Sequence, residues 1–191
     1  MKNFILLLLF FSFASTILAE TEATRDSFYV KYIGTALQGA DTMIFYSKQD
    51  KFKYVEHFKI GGTPAVKTTY LIGQEMIIIN DEGGAKNGIS ITIQQSYDEF
   101  VDGIYFLSKQ NYQEFSDPAG TDTYLGYPCS VFENHEGNKI WVYKDTYVLK
   151  VMNVVDNTET YALEFQLNPT LDDKIFEIPP DAVIQSPGGI K

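Results

Sequence analysis

Cysteine, arginine, tryptophan and histidine are all scarce in this chain of 191 residues: one Cys, one Arg, one Trp and two His. With Cys129 alone there is no internal disulfide, so stability has to come from core burial. With Arg25 alone, phosphate recognition lacks its usual bidentate donor. His57 and His135 are the whole histidine supply, and no His-Glu-x-x-His zinc signature occurs. A Gly-x-Ser-x-Gly elbow is missing too, since Gly88-Ile89-Ser90-Ile91-Thr92 fails at its last position. Pro169 removes the only Asn-x-Thr acceptor, at Asn168.

Positive charge is short and long apolar runs are confined to the start. Lys2 followed by an apolar stretch over residues 4–13, then Ser15, Thr16 and Ala19, predicts a secretion signal over residues 1–19, cleaved before Glu20. No later stretch approaches the roughly 18 apolar residues of a spanning helix, so the chain is not expected to be an integral membrane protein. No cysteine follows the apolar run, and a lipid anchor of the bacterial lipoprotein kind is not expected. The expected location is the periplasm or the outside of the cell. Without Lys2, 14 basic side chains face 25 acidic ones, a formal charge of −11. Nucleic acid is excluded as a partner, because polyanion binding needs Lys and Arg to displace counterions.

Aromatic residues are abundant: 14 Phe and 13 Tyr. They fall in short runs separated by turn residues, the spacing of a meander sheet. Residues 28–33 and 43–46 open it. Phe52, Tyr54, Glu56, Phe58 and Ile60 then alternate with Lys53, Val55, His57 and Lys59, the period-two mark of a half-buried strand. Residues 67–72 and 75–80 read as a hairpin turning at Gly73-Gln74, and 81–88 as a flexible polar loop. Residues 129–134, 140–143, 147–155 and 160–167 read as later strands, and residues 174–178 end the pattern at Pro179-Pro180. The tail at 187–189 is expected to fray.

One segment breaks the β pattern. Ser96 and Glu99 have capping-box spacing, and Tyr97, Phe100, Val101, Ile104 and Tyr105 follow on one helical face. The spacing predicts an amphipathic helix over residues 96–112, with residues 117–120 closing the excursion. Residues 20–191 are thus expected to form a single domain with an ordered core over about 28–180. The predicted class is mainly β (α+β): a curved antiparallel sheet forming an incomplete barrel, its concave face covered or plugged by one main helix. A single helix cannot cover a flat sheet of nine or so strands, whereas a sheet curled around it buries both.

Catalytic and metal chemistry find no constellation. Cys129 enters an apolar strand after Gly126-Tyr127-Pro128, which suits a buried, inert thiol. Glu133, His135 and Glu136 sit at a hairpin tip, where charged side chains are ordinarily solvated. The chain is therefore read as a non-enzyme without metal or cofactor.

Gly126-Tyr127, Gly137, Ile140-Trp141-Val142, Lys144-Asp145 and Leu149-Lys150 occur in a recognisable order. It continues through Ala162-Leu163-Glu164-Phe165, Asn168, Asp172-Asp173 and Phe176-Glu177-Ile178-Pro179. Upstream, Tyr32, Gly34, Ile44-Phe45-Tyr46, Lys51-Phe52-Lys53 and Tyr70-Leu71-Ile72 are compatible. Over residues 28–180 the chain resembles the LolA/LolB-like superfamily of periplasmic lipoprotein carriers and exported relatives. The resemblance implies a curved half-barrel closed by helix, with an apolar cavity for acyl chains. Residues 20–27 are too few and too polar for the carriers' early helix, and Arg25 does not match their arginine. The cavity, rather than the shuttling task, is what carries over.

The leading expectation is a carrier or binding protein for a lipid, a lipoprotein or another apolar ligand. Its candidate lining is Tyr54, Phe58, Ile77, Ile79, Phe100, Ile104, Trp141, Leu149 and Phe165, for each of which ordinary core packing is the plain alternative. The other readings are an envelope protein-interaction module with a filled core and, behind it, a hydrolase.

Overall fold

A computed structural model of the chain describes residues 25–35, 37, 39–104 and 107–186. The expected signal at 1–19 and the frayed tail at 187–189 lie outside the described residues.

Six strands follow one another as a meander: β1 (Phe28–Gly34), β2 (Thr42–Lys48), β3 (Lys51–Ile60), β4 (Thr63–Ile72), β5 (Glu75–Glu82) and β6 (Ala85–Thr92). Burial alternates strictly along β1 and β2, which puts Phe28, Val30, Tyr32, Met43, Phe45 and Ser47 on one buried face. Residues 81–88, expected as a flexible loop, instead end β5, turn, and begin β6. Gly83 and Gly84 both adopt positive φ, the geometry of a tight two-residue hairpin, so the polar run is paired rather than loose.

After one helix, β7 (Asp117–Tyr124), β8 (Tyr127–Glu133), β9 (Lys139–Tyr143), β10 (Tyr147–Asn153) and β11 (Thr158–Leu167) form a second meander, and β12 (Val183–Gln185) ends the described chain. The two meanders join where β1 pairs β11, giving a sheet of twelve strands in the order β12-β6-β5-β4-β3-β2-β1-β11-β10-β9-β8-β7. Every pairing is antiparallel except β12 on β6. The end strands do not pair with each other, and the sheet is not closed.

It is strongly curled. Strands β8 and β11 are three steps apart, about 14 Å in a flat sheet. Yet the Tyr127 hydroxyl on β8 donates to the Phe165 carbonyl on β11 at 3.2 Å, and the two rings lie 5.0 Å apart. Tyr124, just after the same curl on β7, reaches the Ala162 carbonyl at 2.9 Å. The face that carries these rings is the inner one, and the main core fills it: Phe28, Phe45, Phe52, Leu71, Leu149 and Phe165 pack there with Leu37 from the β1–β2 connection.

The helix is shorter than the spacing predicts. Helix α1 spans Tyr97–Asp102, with the complete Ser96/Glu99 capping box. Beyond Gly103 the Asn111 amide donates to the Asp102 and Ile104 carbonyls at 2.8 and 3.0 Å, supplying the partners that further turns would have given. The Lys109 amide then bonds the Thr146 carbonyl at the β9–β10 turn, and only a 3-10 turn, Lys109–Asn111, follows. Residues 174–178 are likewise not a strand: a 3-10 turn occupies Asp173–Phe176. No helix among the described residues is long and apolar enough to cross a membrane.

Candidate functional site

A cluster of aromatic rings lies where α1 meets β2 and β3. Phe45 of β2 stacks on Tyr54 of β3 with centroids 4.6 Å apart and planes within 4°. Phe52 meets the Phe100 ring of α1 edge-on at 5.9 Å. Val101 beside it is fully buried, and Tyr97, Phe100 and Ile104 are partly buried against the same core. An edge-to-face pair of this kind adds about 1 kcal/mol to area burial.

Polar fastenings hold both ends of α1. At its start the Ser47 and Tyr97 hydroxyls share a hydrogen bond of 2.6 Å. Burial pushes the Tyr97 hydroxyl up to about 12, so it remains a donor at neutral pH. At its end Asp102 pairs with Arg25, whose guanidinium also lies 5.8 Å from the Phe28 and Tyr147 ring centres. A carboxylate at a helix C-terminus opposes the macrodipole, and the arginine offsets it. Arg25 is only 9% exposed, a buried cation held by one carboxylate and two rings. Sequence reasoning set Arg25 aside; its being the chain's lone arginine was the available signal.

Six of the nine predicted lining residues come together. Tyr54, Phe100, Ile104, Trp141, Leu149 and Phe165 all belong to the main core or pack against it. Leu149 is completely buried, and Phe165 is enclosed by the Tyr127, Tyr143 and Tyr147 rings at 5.0 to 5.9 Å. Trp141 is tethered by its indole N–H to Asp122 at 2.9 Å, with the Lys150 ammonium 4.9 Å from its ring. The other three lie elsewhere. Ile77 and Ile79 point to the outer face, where they pack with Tyr70 under Ile178, Ala182 and Ile184. Phe58 is half-buried on β3, opposite Ala65.

Several clefts lie outside this core, three of them as follows. One of about 550 Å³ is polar and lies beside the foot of α1, lined by Arg25, Asp26, Asp98, Asp102, Lys144 and Tyr147 among others. A second, of about 360 Å³, runs along the 134–138 turn past Phe115 and Thr160. A third, of about 290 Å³, lies at the tip of the β3–β4 hairpin by Ile60 and Pro64. None of the nine predicted residues lines any of the three.

Nucleophile and metal chemistry have little to draw on. Cys129 is buried, and burial pushes its thiol up, away from the reactive thiolate. The His135 side chain is 83% exposed at its hairpin tip. Among the described residues no group of three or more His, Cys, Asp or Glu is placed to hold a metal ion.

No protein-family profile matches the chain, and no curated protein does. Among solved structures it is similar to PNGF-II in two crystal forms, at 14% identity with a TM-score of 0.43 and at 15% with 0.42. The match covers 85% of this chain in both cases but 32% and 31% of PNGF-II, so the chain spans about a third of that protein's length.

Proposed function

We propose that the chain is a non-enzymatic binding protein of the cell envelope that takes an apolar ligand, such as an acyl chain, between α1 and the inner face of the sheet. On this reading α1 is a lid over the concave face, and the predicted residues at its underside become ligand contacts once it lifts. The observation that carries the proposal is the underside of a six-residue helix resting on the Phe45/Phe52/Tyr54 aromatic cluster, fastened at its two ends by polar pairs. The residue order that resembles the LolA/LolB-like superfamily supports the same reading, and the apolar leader supports an exported location.

The apolar magnitudes of an exchange of helix for ligand are of similar size. Lifting α1 uncovers Val101 and the buried parts of Tyr97, Phe100 and Ile104, a loss of about 7 kcal/mol at some 2 per apolar side chain. An acyl chain of about ten methylenes recovers about 8 kcal/mol at roughly 0.8 per methylene. A packed resting core and a ligand site are therefore compatible.

A second reading, an interaction module with a permanently filled core, is favoured by the tight enclosure of Leu149 and Phe165. Titration with a fluorescent fatty acid separates the two. The lid reading expects saturable uptake at one site, faster in Arg25→Met because the far fastening is gone. No uptake by either protein assigns the chain to the second reading.

A further inference from the structure

The two edges of the sheet are protected in different ways. Strand β7 guards itself: Pro118 cannot donate to a neighbour, the register slips between Pro118 and Gly120, and Asp117 and Asp122 add charge. Strand β6 has only Lys86 for such a device, a side chain engaged by Asp181. It runs Ala85-Lys86-Asn87-Gly88-Ile89-Ser90-Ile91-Thr92, without proline or carboxylate and rich in β-branched side chains at its far end. Its edge is covered instead by β12, which among the described residues pairs it over Asn87–Ile89.

That cover is built in. Ile184 lies over Gly88, where an added Cβ would come within 2.9 Å of the Ile184 Cδ1, and it packs into the hollow of Tyr70, Ile77 and Ile79. Lys86 anchors the approach through Asp181 at 2.7 Å. Three paired residues are nevertheless a small hold, and Ile89 beneath them is still 46% exposed. Local fraying of such a segment is inexpensive compared with global unfolding.

We propose that β12 is a displaceable guard, and that the β6 edge it covers is a strand-addition site for β6 of a second copy of this chain. A second copy fits for reasons of charge and symmetry. The molecule is strongly acidic, yet the only charged side chain between Lys86 and Thr92 is Lys86 itself, so two β6 strands bring no carboxylates together. Antiparallel pairing of β6 with itself is isologous and closes at two, placing the Ile89 side chains of both copies near the shared axis.

Light scattering on the full chain tests this. The unaltered chain is expected to be monomeric. Ile184→Asp, which unseats the guard without touching β6, is expected to double the mass as concentration rises, and added Ile89→Lys to return it to the monomer. A chain ending at Ala182 gives the same comparison should Ile184→Asp not fold. A monomeric guard variant with unchanged circular dichroism overturns the proposal. So does a dimer indifferent to Ile89→Lys, or open-ended association.

Discussion

Gly34 sits at the seam where β1 meets β11, opposite Thr160, with φ near 145°. A Cβ there would lie 2.2 Å from the Glu159 carbonyl oxygen and 2.5 Å from the Thr160 Cα, and neither backbone atom can yield cheaply. Gly34→Ala is expected to cost more than about 3 kcal/mol, seen as a large fall in the urea midpoint. Ser96 has a smaller, local duty. Its hydroxyl accepts from the Glu99 amide at 3.3 Å, while Glu99 returns a bond of 2.8 Å to the Ser96 amide. Ser96→Ala is expected to cost about 1 kcal/mol and to speed amide exchange at Glu99 and Phe100 while leaving β1 and β11 protected.

Among the elements, the C-terminal segment is the one most tied to pH. Residues 171–185 cross the outer face as a strap. The Lys48 ammonium donates to the Leu171 carbonyl at 2.9 Å, Lys53 donates to the Ile175 carbonyl at 3.0 Å, and Asp173 lies 3.1 to 3.2 Å from Lys51 and Lys48. Hydrogen bonds from Lys51 and Lys48 lower the Asp173 carboxyl, and one from Lys86 lowers Asp181. A depressed carboxylate contributes its stabilisation above the unfolded value, about 3.9, and loses it as pH falls through the folded one. Exchange and proteolysis within 171–185 are therefore expected to rise below about pH 4, with the inner strands still protected. Unchanged protection of the strap through that range would count against the lysine anchors.

The same scale explains what could be read from the chain beforehand. Strand β1 was legible because one face is buried along most of its length and every second side chain there is apolar. Strands β3 and β11 were legible from their alternating sequence, although only Phe52 of β3 is buried and a bulge in β11 buries Ala162 and exposes Leu163. Strand β7 gave no such pattern: nearly all of Asp117–Tyr124 is exposed, and only its pairing with β8 makes it a strand. The start of β6, Lys86-Asn87-Gly88, has turn-like composition, and a Cβ at Gly88 would meet the Ile78 carbonyl oxygen of β5 at 2.6 Å as well as Ile184 at 2.9 Å, constraints set by partners far along the chain. The helix was overextended because apolar spacing continues past Gly103, while the carbonyl partners it needed are supplied by Asn111. At the site, Tyr54, Phe100 and Phe165 were found from alternation and helical spacing. Ile77 and Ile79 were not, since both faces of β5 are apolar and only the strap decides which is which.

At the scale of the whole molecule, the twelve described strands, without closure, create a long inner face that α1 and the Leu37 connection do not cover alone. Curling supplies the remainder by bringing β8 against β11, and tyrosine hydroxyls satisfy carbonyls across the fold: Tyr127 to Phe165, Tyr124 to Ala162 and Tyr32 to Val148 at 2.6 Å. The proposed reading as a receptor for apolar chains requires this core, rich in rings with polar tips, to part along α1 while the sheet keeps its ladder hydrogen bonds. Native mass spectrometry of the protein purified from its native source, followed by organic extraction, tests that claim most directly. A near-stoichiometric lipid or acylated peptide, released on extraction, is the predicted result. A clean apo mass that stays clean after incubation with added fatty acid would contradict it.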